Sequence, residues 1–264
     1  MNKLILGRFI PGNSFIHRLD PRTKLVGSFY FIFILFWANN WQAYFLAAVF
    51  VFLAVLLSKI KLIFFLKGIY PMLLLIFFTV ALQIFFTAQG RVLWSMGALK
   101  LTSCGLVNGA FIFIRFILII SISTLMTLTT QPLSMSDAVA FLLRPLKVVN
   151  FPVHEVSLML SITLRFVPTL MDEAEKIMNA QRARGVDFND VKLIQRIKAI
   201  IPLLIPLFIS SFKRADELAT AMEARGYQGG EGRTRYRKLT WHFQDMLVIF
   251  ALILLTVGIF KVRK

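Results

Sequence analysis

From Leu25 to Ser58 the chain contains no Asp, Glu, Lys or Arg. A stretch of that kind is incompatible with the alternating surface and core of a water-soluble domain, and it points to a lipid bilayer as the solvent. At about 1.5 Å rise per residue it is too long for one crossing of a hydrocarbon core of about 30 Å and long enough for two short ones. The polar break "ANNWQ" (Ala38 to Gln42) marks where it divides. Gly68 to Gly90 is charge-free again and predicts a third span. Leu101 to Ser136 carries one charge, Arg115, and predicts a fourth at roughly Leu106 to Thr129. Asp245 to Phe260 predicts a short fifth. Composition agrees: 58% of the 264 residues are hydrophobic and 27 are Phe, well beyond a soluble average. The predicted fold class is an all-α integral membrane protein with about five transmembrane helices and long cytoplasmic helices. No cleavable signal peptide is visible, because charges interrupt the short apolar runs of the first 25 residues.

The formal charge of +17 would suggest nucleic acid in a soluble protein. Here it is explained by basic residues flanking membrane spans, and no nucleic-acid partner is expected. Five spans put the Lys59, Lys61, Lys67 loop and the charged region from Gln131 to Gln244 on one side. Together these hold 19 Lys and Arg, against Arg91 and Lys100 in the opposite loops. The rule therefore places the charged region in the cytoplasm, with the protein multi-pass in the membrane. The expected organisation is a cytoplasmic N-terminal segment (1–24), transmembrane helices one to four (25–130), a cytoplasmic helical region (131–244), and a fifth transmembrane helix with the C-terminal tail (245–264). An odd number of spans sends the cationic tail "KVRK" to the outside, against the same rule.

The charged region has few Gly and no strand-like alternation, and it predicts helices. A short one covers Ser134 to Lys147, with Ser134 or Ser136 as its cap. A long one runs from Phe151 to Arg184, with Pro152 near its start, where proline is tolerated. Another leads from about Asp190 to Arg225, and Pro202 and Pro206 are expected to bend or break it. Its apolar run "IIPLLIPLFI" is too short to span a membrane and fits an interfacial, re-entrant or partner-covered position.

Both long helices end in the same tripeptide: Ala183-Arg184-Gly185 and Ala224-Arg225-Gly226. Each is a good helix stop. Glycine enters the left-handed region without a Cβ clash, and arginine meets the negative end of the helix dipole. Matches at the same offset extend backwards through Ala174/Ala215 and Ala180/Ala221. Two similar cationic tips, each with a planar fork suited to carboxylate, point to two similar docking grooves on a dimeric or pseudo-dimeric partner.

At these residues the chain resembles the transmembrane T component of energy-coupling factor (ECF) type ABC transporters. The resemblance runs nearly end to end, through "HRLDPRTKL" (His17 to Leu25), "TLTTQPLSMSDAVAFLLRPLKVV", "LRFVPTLMDEAEKIMNAQRARG" and "ELATAMEARGY". It implies a non-catalytic scaffold and transducer that joins two cytosolic ATPases, identical or a homologous pair, to a membrane-embedded S component that captures a micronutrient. The long cytoplasmic helices would be its coupling helices. By that resemblance Arg184 and Arg225, with their Ala and Gly neighbours, dock on the ATPases, which bind the ATP and Mg; this chain would hold no cofactor. Arg165, Pro168, Pro202 and Pro206 are candidates for coupling or for contact with the S component.

Other residues fit structural roles. Arg115 lies mid-span with no Asp or Glu between Leu25 and Ser136, which suggests anchoring through carbonyls or polar neighbours. Arg165 reaches Asp172 or Glu173 only if the helix bends. Asp20 and Arg22 around Pro21 read as a turn at the membrane edge. One cysteine and three histidines make a metal site unexpected. No G-x-x-x-x-G-K-[ST] loop, H-E-x-x-H or intramembrane carboxylate is present. Two alternatives stand: an autonomous secondary transporter or channel, and a membrane enzyme acting on lipids through Asp172, Glu173 and Glu175.

Overall fold

The structure, a computed structural model, describes residues 9–87, 90–96, 99–149, 151–186, 193–229 and 239–262. The chain separates into two compact units, 1–138 together with 239–264, and 139–238. The order of elements is α1 (Pro21–Leu35), α2 (Trp41–Ser58), α3 (Leu62–Phe86), β1 (Val92–Met96), β2 (Leu99–Thr102), α4 (Ser103–Thr129), α5 (Pro132–Leu142), a 3-10 turn (Arg144–Val149), α6 (Val153–Ala183), α7 (Leu193–Ala224) and α8 (Phe243–Val262).

In the first unit α2, α3, α4 and α8 are long and apolar enough to cross a membrane. The first expected span is the shorter α1, at 15 residues. Asp20, expected in a turn, instead caps α1, accepting the Arg22 N–H at 2.8 Å, while Pro21 takes the first helical position, where its missing N–H costs nothing. The expected break holds: α1 ends in i→i+3 bonds as far as Ala38, and α2 starts at Trp41. Helix α3 begins six residues ahead of the expected span and takes Lys67 inside it. Charge limits the membrane-embedded part of a helix, not the helix.

Contacts at both ends fix the helix directions. The Asp20 N–H donates to Asp245 at the start of α8 (2.9 Å), and Asn40 Nδ2 donates to the Val262 carbonyl at its end (3.0 Å), so α1 and α8 run the same way. Gly68, early in α3, packs on Thr124, late in α4, while Ile84, late in α3, packs on Gly105 and Gly109, early in α4. These two are therefore antiparallel and in close contact, as small residues permit in lipid. The core joins Phe31, Ile34 and Leu35 of α1, Tyr44, Ala47 and Val51 of α2, Leu118, Ile122 and Leu125 of α4, and Leu252, Leu255 and Ile259 of α8. Phe29, Phe33, Phe45, Phe77, Phe78 and Phe250 face outward, a surface that only a hydrocarbon surround tolerates. Between α3 and α4 the loop expected to carry Arg91 and Lys100 holds an antiparallel hairpin, β1 with β2, which the sequence reading did not anticipate.

In the second unit α6 and α7 pack on each other, and the 3-10 turn packs on α6. The helix expected over Ser134 to Lys147 is α5 followed by that turn. Helix α6 runs through Pro168, and α7 runs through Pro202 and Pro206, so of the expected bend or break the break does not occur. Each proline removes the bond to the carbonyl four residues back. With the two prolines four apart, both missing bonds fall on one face, and the opposite ladder carries the helix through.

Candidate functional site

The two tripeptides form the same structure. At the end of α6, Arg184 is the C-cap (φ −85°, ψ 5°) and Gly185 is left-handed at φ +86°. The Gly185 N–H donates to the Arg182 carbonyl at 3.0 Å and the Val186 N–H to the Gln181 carbonyl at 3.1 Å. At the end of α7, Gly226 is left-handed at φ +72°. The Gly226 N–H donates to the Glu223 carbonyl at 2.9 Å and the Tyr227 N–H to the Met222 carbonyl at 3.0 Å. This paired 5→2 and 6→1 bonding is the Schellman cap. A Cβ on either glycine would meet no atom within 4 Å. Backbone conformation, not crowding, therefore calls for glycine at both positions.

All six residues of the two tripeptides are exposed. Each arginine sits on a closed helix end, whose negative dipole end favours the guanidinium, and the cap settles where that planar fork starts. Of the other candidates, Arg165, Pro168 and Pro206 are exposed and Pro202 is half-buried. Glu173 does not reach back to Arg165. It accepts from Arg214 Nη2 on α7 at 2.6 Å, and among the described residues Arg165 makes no ion pair. Asp172 and Glu175 are exposed and are neighbours on one helix face, while Glu173 is turned to Arg214 on α7, so the three carboxylates do not converge.

Two polar constellations in the first unit have partners that the sequence alone does not reveal. Arg115 donates through Nε (3.0 Å) and Nη2 (2.6 Å) to the Tyr44 hydroxyl and through Nη2 to the Ala38 carbonyl at 3.4 Å. Its guanidinium lies 5.3 Å from the Phe36 ring centre. The expected anchoring role is thus realised as a clamp on the α1–α2 turn, with aromatic faces in place of a carboxylate. The second constellation joins the starts of α1 and α8 to the end of α4. Lys24 Nζ donates to the Thr129 carbonyl at 2.9 Å. Asp245, fully buried, accepts the Asp20 N–H through one oxygen and the His242 N–H, at 2.8 Å, through the other. Lys24 stands one residue ahead of the charge-free span. Burial pushes its amine down to about 8, against the opposing pull of Asp245 and Asp20. The only signal for Asp245 in the sequence is a lone acid opening an apolar stretch. Among the described residues no group of three or more His, Cys, Asp or Glu could hold a metal ion.

Fold and site together define a multi-pass all-α membrane protein with a helical unit ending in two matched arginine tips. Residues 12–236 match the family model CbiQ, described as "Cobalt transport protein". The chain is 60% identical over 256 residues to the energy-coupling factor transporter transmembrane protein EcfT of Lacticaseibacillus paracasei, covering 97% of both chains. It is 58% identical to the EcfT of Streptococcus thermophilus over the whole of both, and 51% identical to that of Bacillus subtilis over 100% of this chain and 99% of the relative. The chain belongs to this family, the transmembrane T components of energy-coupling factor transporters, and is a membrane subunit of such a transporter.

Proposed function

We propose that the chain is the non-catalytic scaffold and force transducer of an ECF-type importer. Two cytosolic ATPase subunits dock on the tips, one on Ala183, Arg184 and Gly185 and the other on Ala224, Arg225 and Gly226. A separate membrane-embedded S component captures the micronutrient, and Arg165, Pro168, Pro202 and Pro206 are the candidate residues for coupling to it. The single observation that carries this reading is the duplication: two exposed arginines on identically closed helix ends within one compact helical pair. A partner with two like grooves is what such a pair fits. The excess of Lys and Arg in the region from Gln131 to Gln244 supports its placement in the cytoplasm, where ATPases could reach it.

The work cycle follows from the rigidity of the tips. ATP brings the paired ATPases together, the docked helix ends follow, and the displacement reaches the S component, which reorients and releases its cargo. The motor drives this only by binding two arrangements of the tips unequally. An arginine–carboxylate contact buried in each groove is worth about 2–5 kcal/mol when truncated. Exchanging both arginines in Arg184→Glu with Arg225→Glu therefore abolishes co-purification of the ATPases with the chain from mild detergent. Normal recovery of both ATPases by that variant overturns the docking assignment. Uptake by the purified chain alone in liposomes would instead establish an autonomous transporter.

A further inference from the structure

The offset that relates the two tips also relates the two halves of an ion pair that joins their helices. Arg184 and Arg225 are 41 residues apart. Glu173 and Arg214, which meet at 2.6 Å, are separated by the same 41. Each arginine tip therefore follows its member of the pair by eleven residues, an arm of about 16 Å on each helix. A contact between a position and its own counterpart on a repeated helix is what a local two-fold axis through that contact produces when the helices cross it in opposite senses. The packing agrees. A cleft between the helices is lined by Phe166 and Leu170, which precede Glu173 on α6, and by Leu218 and Met222, which follow Arg214 on α7. The helices pass the ion pair in opposite senses, as a two-fold across the pair requires.

Charge follows the same symmetry. Along the tips the repeat is conserved in kind: Ala183/Ala224, Arg184/Arg225 and Gly185/Gly226. Around the axis it is inverted at three of the four charged pairs, and Glu175 and Asp216 keep the same sign. Asp172 corresponds to Lys213, Glu173 to Arg214 and Lys176 to Glu217. A faithful repeat would place like charges against each other where counterparts meet, and that contact would be repulsive. Opposite signs at Glu173 and Arg214 convert it into an attraction, while the two Ala-Arg-Gly tripeptides stay alike. The Glu173 and Arg214 side chains are 23% and 30% exposed, so the pair is shielded more than an open surface bridge. Arg214 Nη1 is buried without a hydrogen-bond partner, so losing Glu173 takes away the Nη2 bond from a guanidinium already short of partners.

We propose that Glu173 and Arg214 are positioning residues: a pin on a local two-fold axis that holds α6 and α7 in register and sets the separation of the two tips. The pin deepens the docking reading, and its test on the chain alone does not depend on that reading. Spin labels are placed at the equivalent exposed positions in Asn179→Cys with Thr220→Cys, in a Cys104→Ser background, and the distance between them is measured by double electron–electron resonance on the full chain in nanodiscs. The native pair gives one narrow distance distribution. Glu173→Gln broadens or shifts it, and the exchanged pair Glu173→Arg with Arg214→Glu restores it. A distribution unchanged in Glu173→Gln overturns the pin, and so does an exchanged pair that stays as broad as the single variant. Should Glu173→Gln fail to fold, the exchanged pair decides: native-like distances support the pin, and failure of both overturns it. In the complex, Glu173→Gln keeps its ATPases and lowers uptake per ATP severalfold. Loss of ATPases from Arg184→Glu with Arg225→Glu is a separate readout, so a failed pin and a failed docking site are distinguishable.

Discussion

Replacing Gly185 and Gly226 by alanine separates the shape of the tips from their charge. Both glycines are left-handed, at φ +86° and +72°, and a Cβ at either would have nothing within 4 Å. The variant therefore introduces no clash, removes no side-chain contact and leaves Arg184 and Arg225 in place. Its cost is the left-handed backbone alone, about 1 kcal/mol for an L side chain. The chain can escape that cost by opening the cap, giving up the bonds from Gly185 and Val186 to the Arg182 and Gln181 carbonyls, or their counterparts on α7. An open cap no longer fixes where the arginine starts, and docking then draws on a reduced population. With about 1.4 kcal/mol per factor of ten, each site loses roughly fivefold in ATPase affinity. The assay is titration of ATPase onto the full chain in nanodiscs, with Gly→Asn variants beside Gly→Ala. Asparagine enters the left-handed region more readily and recovers much of the loss. Wild-type affinity in the alanine variants, or an asparagine variant no better than alanine, refutes the argument that the cap presents the arginine.

Two further outcomes follow from the membrane unit. Gly105→Ala puts a Cβ 2.7 Å from the Ile84 carbonyl oxygen and 2.9 Å from Thr102 Oγ1; backbone cannot yield there, so α3 must move off α4 and the melting temperature in detergent falls, at a cost of about 1–3 kcal/mol. Tyr44→Phe removes the hydroxyl that takes two Arg115 hydrogen bonds and destabilises the chain by about 1–3 kcal/mol, measured in the same melt; Arg115→Met in the Tyr44→Phe background then restores part of the loss, because the orphaned cation is gone.

What was legible in the sequence divides along a physical line. Long charge-free runs mark membrane helices because lipid admits few alternatives, and α2, α3, α4 and α8 appear where those runs are. The helix ends were legible too, since Ala-Arg-Gly closes a helix by local backbone chemistry, and both caps are formed as that chemistry requires. Contacts between distant segments were not. Glu173 has basic and acidic neighbours on its own helix, and nothing local says that its partner is Arg214. Asp245 reads as the edge of a span until the Asp20 N–H is seen to point at it. Arg115 could be recognised as an anchor, but not that Tyr44 receives it. The prolines of α7 do not break it, because in a long helix the remaining ladder outweighs two missing bonds on one face.

The most direct test of the central claim is a count of ATPase subunits per chain by native mass spectrometry of the complex released from nanodiscs. The account predicts two on the native chain, one on Arg184→Glu and one on Arg225→Glu, and none on the chain carrying both. Two ATPases retained on the chain with both arginines reversed would contradict it.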